Sequence, residues 1–231
     1  LTKKKTTQNA VEDMDEEKPD ISTLVKSAPA SPFPKGLSPM LATLVDEPFD
    51  DAGWEYEIKW DGYRALAFRN GRTAELRSRN DKAFNDKFYP VYDAIKNWNI
   101  KAVIDGEIVV VDEKGISHFN KLQNWRSEAD GRLQYYAFDI LWYNGKLLTG
   151  LSLRKRMQVL ENIVPNNNDI IRLGFSVTGR GNDFFSTARQ IVVEGIVAKR
   201  LDCPYLPGDR SRDWLKIKVH KRQEVVIGGF T

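Results

Sequence analysis

The chain has 231 residues, of which 41% are hydrophobic and 29% charged, and its net charge is +3. This length suffices for one large domain or two small ones, each with its own core. A single cysteine, Cys203, excludes an internal disulfide bond and suits a reducing compartment. No apolar run approaches the roughly 18 residues of a membrane helix, and the mildly basic charge permits a nucleic-acid partner without requiring one.

The first 35 residues differ in composition from the rest of the chain. Charge runs come first, followed by the proline-rich stretch SAPASPFPKGLSP at 27–39. Such a composition predicts a disordered or extended interdomain linker over residues 1–35. A folded α+β pattern begins near Met40.

Strands and helices are predicted along the remainder of the chain. Alternating apolar runs indicate strands, Asn-Gly pairs indicate hairpin turns, and apolar residues at helical spacing indicate three helices. Gly106 is expected to break the run at 102–115 into shorter strands. The predicted strands lie in 54–60, 63–69, 73–79, 102–115, 133–146, 195–200 and 213–219, and the predicted helices near 90–98, 152–164 and 183–193.

Charged residues lie on strands that are otherwise strongly apolar. In residues 54–61, Glu57, Lys59 and Asp61 alternate with apolar residues, so they share one face of a half-buried strand. Any one such charge is more often on a solvated face. Their recurrence on several strands instead favours one polar groove, suited to a polyphosphate with a divalent metal. The other charges of this kind are Glu107, Glu194, Lys199, Lys216 and Lys218.

Lys59 is the candidate nucleophile of this groove. A lysine attacks only as the free amine, so its ordinary pKa of about 10.4 must be lowered by burial or by nearby cations. The flanking acids Glu57 and Asp61 oppose this unless a metal or further lysines join the site. A surface ladder of ion pairs is the alternative, and the residues alone leave both interpretations open.

The stretch Lys59-Trp60-Asp61-Gly62-Tyr63-Arg64 resembles the K-x-D-G-x-R motif of the covalent nucleotidyltransferases. This family comprises the ATP-dependent DNA ligases, the RNA ligases and the mRNA capping enzymes. Five further stretches resemble the family's later motifs in the family's order. They are SRN around Arg79, DGEIV (105–109), YYAFDIL (135–141), EGIVAKR (194–200) and WLKIKV (214–219).

The resemblance implies a fold and a reaction. The expected fold is α+β, an ATP-grasp-like nucleotidyltransferase domain of antiparallel sheets flanked by helices, over residues 36–222. It would lack the family's C-terminal OB-fold domain, whose truncated start would be residues 223–231. In this family the motif lysine attacks the α-phosphate of ATP, forms lysyl-AMP and releases pyrophosphate. AMP then passes to a 5′-phosphate at a DNA nick, and the 3′-hydroxyl displaces it.

The resemblance also implies roles for individual residues. Lys59 takes the catalytic role, Glu57 and the backbone of Ile58 match contacts to adenine, and Phe138 matches the aromatic residue that stacks on the base. Lys199 has two equally weighted interpretations, a contact with DNA or phosphate and an exposed ion pair. The remaining matches are Arg64 and Arg79 near the ribose, the phosphates or the nick phosphate, Glu107 at the ribose, Lys216 and Lys218 on the α-phosphate, and Asp61 and Glu194 as ligands of Mg²⁺ or Mn²⁺.

The motif wording is most similar to the ligase domains of the bacterial ligase D group. That resemblance implies non-homologous end joining on nicked or broken duplex DNA, in the bacterial cytoplasm and associated with the nucleoid. The implied partners are polymerase and phosphoesterase domains of the same polypeptide and the end-binding protein Ku. The resemblance implies no association with a membrane. An RNA ligase or capping-type transferase is the first alternative, and a non-catalytic nucleotide- or DNA-binding module is the second.

Overall fold

The computed structural model describes residues 19–113, 115–191 and 193–219. These residues form two β-sheets, five α-helices and one short 3-10 helix, Glu128–Asp130. The helices are α1 (Ile21–Leu24), α2 (Tyr89–Asn97), α3 (Phe119–Gln123), α4 (Leu153–Ile163) and α5 (Gly181–Gln190). The strands are β1 (Leu41–Val45), β2 (Trp54–Lys59), β3 (Tyr63–Asn70), β4 (Thr73–Ser78), β5 (Lys101–Val111), β6 (Arg132–Tyr143), β7 (Lys146–Leu147), β8 (Ile171–Leu173), β9 (Ser176–Thr178), β10 (Gly195–Arg200) and β11 (Arg210–Lys218).

The strands separate into a five-stranded and a six-stranded sheet. The first has the order β1-β11-β10-β2-β9, and the second has the order β4-β3-β5-β6-β7 with β8 paired to β6. Most pairings are antiparallel, but β1 with β11 and β6 with β8 are parallel. The sheets are therefore mixed rather than purely antiparallel. Residues 60–62, between β2 and β3, connect one sheet to the other.

Both predicted Asn-Gly turns are confirmed as hairpin connections. Asn70 is followed by Gly71 with φ +56°, and Asn144 and Gly145 both have positive φ. The prediction that Gly106 breaks its strand is wrong, because β5 runs through it with only a shift of register beside it. A Cβ at Gly106 would overlap the ring of Tyr135. The glycine therefore serves close packing between neighbouring strands and does not end one.

The six-stranded sheet carries the larger hydrophobic core, with α2 and α4 packed against it. Val91 and Ile95 of α2 are fully buried, as their helical spacing predicts. Ser152 precedes α4, but its side chain makes no capping hydrogen bond. A smaller core lies between α5 and the five-stranded sheet and includes Tyr56 and Ile196.

Residues 19–35, the described part of the N-terminal stretch, pack against the rest of the domain. Leu24 and Ala28 are buried in the larger core, and Ala30 forms a β-bridge with Lys146. Residues 1–35 were predicted to form a disordered or extended linker. Over residues 19–35 the structure differs from this prediction, because a few apolar side chains attach the segment to the larger core. Residues 1–18 and the stretch 223–231 lie outside the described residues.

No helix in the described parts of the chain has both the length and the apolar composition required to cross a membrane.

Candidate active site

A cavity of about 560 Å³ opens between the two sheets, and both contribute to its walls. Eight of the eleven predicted site residues line it. The other three, Asp61, Glu194 and Lys218, are not among the described residues that line it. The eight are Glu57, Ile58, Lys59, Arg64, Arg79, Glu107, Phe138 and Lys216.

Lys59 is the last residue of β2, and strand register explains its surroundings. Gly195 at the start of β10 pairs with Lys59 on one side and with Lys218 of β11 on the other. Glu194 consequently lies beside both lysines. Its carboxylate accepts a hydrogen bond from Lys59 Nζ and lies 3.2 Å from Lys218 Nζ. The structure thus joins two predicted site residues to Lys59 although neither lines the cavity.

Gly195 has to be a glycine for this arrangement. Its φ is +153°, and a Cβ there would overlap the carbonyl oxygen of Ile217 on β11. The close approach of β10 to β11 brings Glu194 within reach of Lys218.

The phosphate-binding candidate Lys216 lies in a cluster of cations. Partial burial lowers the pKa of its ammonium group, and the nearby cations Arg210, Lys59, Lys218 and Arg79 lower it further. A group of mutually repelling cations beside a cavity favours the binding of an anion there.

Glu57 and Lys199 form a buried ion pair in the cavity wall. Lys199 Nζ lies 2.7 Å from Glu57 Oε1 and 2.6 Å from Oε2, and it also donates to the Phe138 carbonyl oxygen at 3.2 Å. Lys199 is only 1% exposed. Burial raises the pKa of Glu57 to about 7, against the opposing effect of Lys199. The exposed ion pair considered for Lys199 is therefore wrong.

Arg64 lines the cavity but is bound to the protein behind it. Its Nε and Nη2 donate to the two carboxylate oxygens of Asp105 at 3.0 and 2.5 Å, and Nη1 donates to the Met40 carbonyl oxygen at 2.7 Å. The Tyr205 hydroxyl donates to the same carboxylate at 2.6 Å. This bidentate pair fixes the guanidinium plane. Arg64 therefore sets the shape of the wall in this state.

Phe138 presents the aromatic surface that the sequence predicts. Its ring centroid lies 5.4 Å from the guanidinium carbon of Arg64 and 4.5 Å from Lys199 Nζ. The Trp214 ring meets it edge-on at 6.5 Å. Two cations and a second aromatic ring thus hold Phe138 in place.

Glu107 of β5 lies opposite Arg64 of β3 in the six-stranded sheet. Burial raises the pKa of Glu107 from its usual 4.5 to about 8, against the opposing effects of Arg64 and Lys59. The native state therefore binds a proton here that the unfolded chain releases.

We expect this proton to make stability depend on pH. Because the folded pKa is raised, the stabilisation is complete below pH 4.5 and is lost as the pH rises through about 8. The slope for one such group is at most about 1.4 kcal/mol per pH unit. Urea unfolding of the wild type and of Glu107→Gln from pH 5 to 8 should show the steeper decline in the wild type.

Glu47→Gln, at an exposed position, is the matched control and should keep the wild-type slope. Equal slopes for the wild type and Glu107→Gln would contradict a raised pKa of Glu107.

The carboxylates near Lys59 fit a metal that is shared with a bound phosphate. Within the described parts of the chain, no three His, Cys, Asp or Glu side chains gather into a metal-binding group. Mg²⁺ is usually held by one or two carboxylates together with substrate phosphates. Glu194, in contact with Lys59, and Asp61, two residues after it, are donors of this kind.

Several residues of the site were missed from the sequence. Trp60, Lys82, Lys87, Arg210 and Trp214 all line the cavity. Trp60 and Trp214 fall inside recognised motifs, so the motif positions could have indicated them. Lys82, Lys87 and Arg210 lie outside any motif, and only the fold brings them to the cavity.

Comparison with known proteins agrees with this geometry. Residues 39–218 match the family described as "ATP dependent DNA ligase domain". The multifunctional non-homologous end joining protein LigD of Mycolicibacterium smegmatis is 34% identical over 200 residues, which are 85% of this chain and 26% of that protein. The protein of the same name from Pseudomonas aeruginosa is 32% identical over 209 residues, which are 89% of this chain and 25% of that protein.

A solved structure of mycobacterial DNA ligase D complexed with ATP and MES has the same fold. It superposes with a TM-score of 0.71 at 32% identity, over 79% of this chain and 60% of that one. The chain spans about a quarter of the length of each of these two LigD proteins. Since the family match covers most of the chain, the protein belongs to the family of ATP-dependent DNA ligase domains.

Proposed function

We propose that the chain forms a lysyl-AMP intermediate at Lys59. The amine of Lys59 attacks the α-phosphorus of ATP, a P–N bond forms, the bond to the β-phosphate oxygen breaks, and pyrophosphate leaves. The observation that carries this proposal is the position of Lys59, which lines the same cavity as Phe138 and the cationic Lys216. A base, a nucleophile and a phosphate could therefore meet there.

The chain's other residues bind and orient the nucleotide. Phe138 offers its ring to the base, while Glu57 and the backbone of Ile58 offer polar contacts to it. Lys216 and Lys218 would stabilise the charge that develops on the α-phosphate. The predicted roles of Glu107 at the ribose and of Arg79 near the phosphates rest on their places in the same cavity wall.

Asp61 and Glu194 are the residues that would hold Mg²⁺ or Mn²⁺. When bound, such a metal supplies positive charge that offsets the carboxylates and the phosphates. Lys59 donates a hydrogen bond to Glu194 in the structure, and a nitrogen held in this contact is not free to attack the phosphorus. Release of Lys59 from Glu194 is therefore part of generating the nucleophile.

Transfer of AMP to a DNA 5′-phosphate, followed by sealing through the 3′-hydroxyl, is the second part of the proposal. Nicked or broken duplex DNA is the substrate, and non-homologous end joining is the process, as the names of the relatives suggest. Ku and polymerase and phosphoesterase domains in the same polypeptide are the proposed partners. The bacterial cytoplasm, near the nucleoid, is the proposed location.

Intact mass spectrometry of the purified chain tests the first reaction. Incubation with ATP and Mg²⁺ should add the mass of one AMP, and pyrophosphate should remove it. GTP under the same conditions should add nothing. A GMP adduct in place of AMP would instead support the capping-type alternative. Failure of both this chain and one extended past Thr231 to form any adduct would overturn the proposal.

A further inference from the structure

The three residues that follow Lys59 carry the chain from one sheet to the other. Lys59 ends β2 in the five-stranded sheet, and Tyr63 begins β3 in the six-stranded sheet. We call residues 60–62 the inter-sheet link. Because Lys59 adjoins this link, the direction of its side chain depends on how the link is held.

A stacked pair of aromatic rings holds the first residue of the link. The rings of Trp60 and Tyr136 have centroids 3.9 Å apart and an interplanar angle of 17°. The other ring pairs found among the described residues are edge-on or tilted. A near-parallel contact at this distance places the Tyr136 ring directly against one face of Trp60.

Tyr136 is itself fixed in the six-stranded sheet. It lies on β6, paired with Glu107 of β5 on one side and with Arg172 of β8 on the other. Its hydroxyl donates to Gln134 Oε1 at 2.8 Å, and the Gln134 amide donates to the Asp169 carbonyl oxygen at 3.3 Å. Trp60 therefore rests on a surface with little freedom of its own.

The last residue of the link, Gly62, packs closely against β5, and this approach is possible because glycine has no side chain. A Cβ on Gly62 would overlap the carbonyl oxygen of Ile108 and contact the side chain of Val109, both on β5. The link is thus pressed against β5 at Gly62 and against β6 at Trp60. Lys59 is the last residue of β2 and directly precedes these two contacts.

We propose that Trp60 is a positioning residue for Lys59, and that its stack on Tyr136 holds the amine in line with the bound phosphate. This inference rests on the proposed function. One face of the Trp60 ring is occupied by Tyr136, so its main contact is with the protein even though it lines the cavity. Loss of the stack frees the link and lets Lys59 move, and a misplacement of about 1 Å can cost on the order of a hundredfold in rate.

Single-turnover adenylation kinetics test the proposal. The rate of AMP attachment is measured against ATP concentration for the wild type, Trp60→Ala, Trp60→Phe and Tyr136→Leu. Trp60→Ala and Tyr136→Leu should each lower the maximal rate by roughly 10- to 100-fold while the half-saturating ATP concentration changes less than about twofold. Trp60→Phe, which keeps a ring, should recover most of the rate.

The double variant Trp60→Ala/Tyr136→Leu should be about as slow as either single variant, because both remove the same contact. Tyr89→Ala is the matched control. It removes a tilted ring contact with Trp125, 5.6 Å between centroids, that is remote in sequence from the link. It should leave the rate unchanged at a temperature where all variants are folded.

Two outcomes would overturn the proposal. A raised half-saturating ATP concentration with an unchanged maximal rate would make Trp60 a nucleotide contact. Lowered melting temperatures with unchanged kinetics would make the stack merely structural. Tyr136→Leu tests the same contact from β6 if Trp60→Ala does not fold. Absence of AMP attachment in the wild type would count against the proposed function itself, so the two failures are distinguishable.

Discussion

Replacing Lys59 by alanine is expected to reduce AMP attachment by at least about a thousandfold, because the variant lacks the attacking amine. Lys216 is the competing nucleophile in the cavity, since burial and its cationic neighbours lower its pKa. Lys199 is not a competitor, because its ammonium is buried against Glu57. We expect Lys216→Ala to slow attachment and yet to leave the adduct detectable.

Lys59→Arg separates chemistry from binding. The guanidinium keeps the positive charge beside Glu194 and does not act as a nucleophile at neutral pH. Calorimetric titration with ATP should show binding to Lys59→Arg within about tenfold of the wild type, while mass spectrometry shows no adduct. Continued adduct formation in both Lys59 variants would contradict the nucleophile assignment.

Replacing Asp139 by alanine is expected to lower the free energy of unfolding by about 3–5 kcal/mol. Asp139 and Arg156 are both fully buried, and the pair is bidentate, with distances of 2.7 and 3.0 Å. Arg156 also donates to the carbonyl oxygens of Leu151 and Cys203. The substitution leaves the guanidinium buried without its counter-ion, and an unpaired buried charge strongly lowers the free energy of unfolding.

Urea unfolding at pH 7 measures this cost. Arg154→Ala, an exposed position on the same helix, should change stability by less than about 0.5 kcal/mol. The double variant Asp139→Leu/Arg156→Met removes both charges and should recover most of the loss. A cost below about 1 kcal/mol for Asp139→Ala would show that the ion pair is not buried as described.

The sequence predicted the strands that carry the site and the residues at their motif positions. Alternation identified β2 and β11, and the Asn-Gly pairs identified two hairpins, because these patterns are local. The resemblance to the nucleotidyltransferase motifs assigned Lys59, Phe138 and Lys216 to one site, and all three line the same cavity. Their chemical roles remain predictions.

The contacts that fix the cavity walls could not be read from the sequence. The pair of Lys199 with Glu57 depends on the register between β10 and β2, which are separated by more than 130 residues. The pair of Arg64 with Asp105 depends likewise on the register of β3 with β5. Each strand shows its own period, but no local signal shows which residue of a distant strand lies opposite.

The packing of residues 19–35 was also missed, for a different reason. A composition average over the N-terminal stretch is dominated by its charges and prolines. Leu24 and Ala28 nevertheless reach the larger core, and the Ser31 amide donates a hydrogen bond to the Gly145 carbonyl oxygen. A composition average does not reveal such individual contacts.

Locating the AMP within the chain tests directly whether Lys59 is the nucleophile. After incubation with ATP and Mg²⁺, the protein is digested at neutral pH, because phosphoramidates are labile in acid, and the peptides are sequenced by tandem mass spectrometry. We expect one modified peptide, with AMP on Lys59. AMP on Lys216, Lys218 or any other lysine, with Lys59 unmodified, would contradict this assignment.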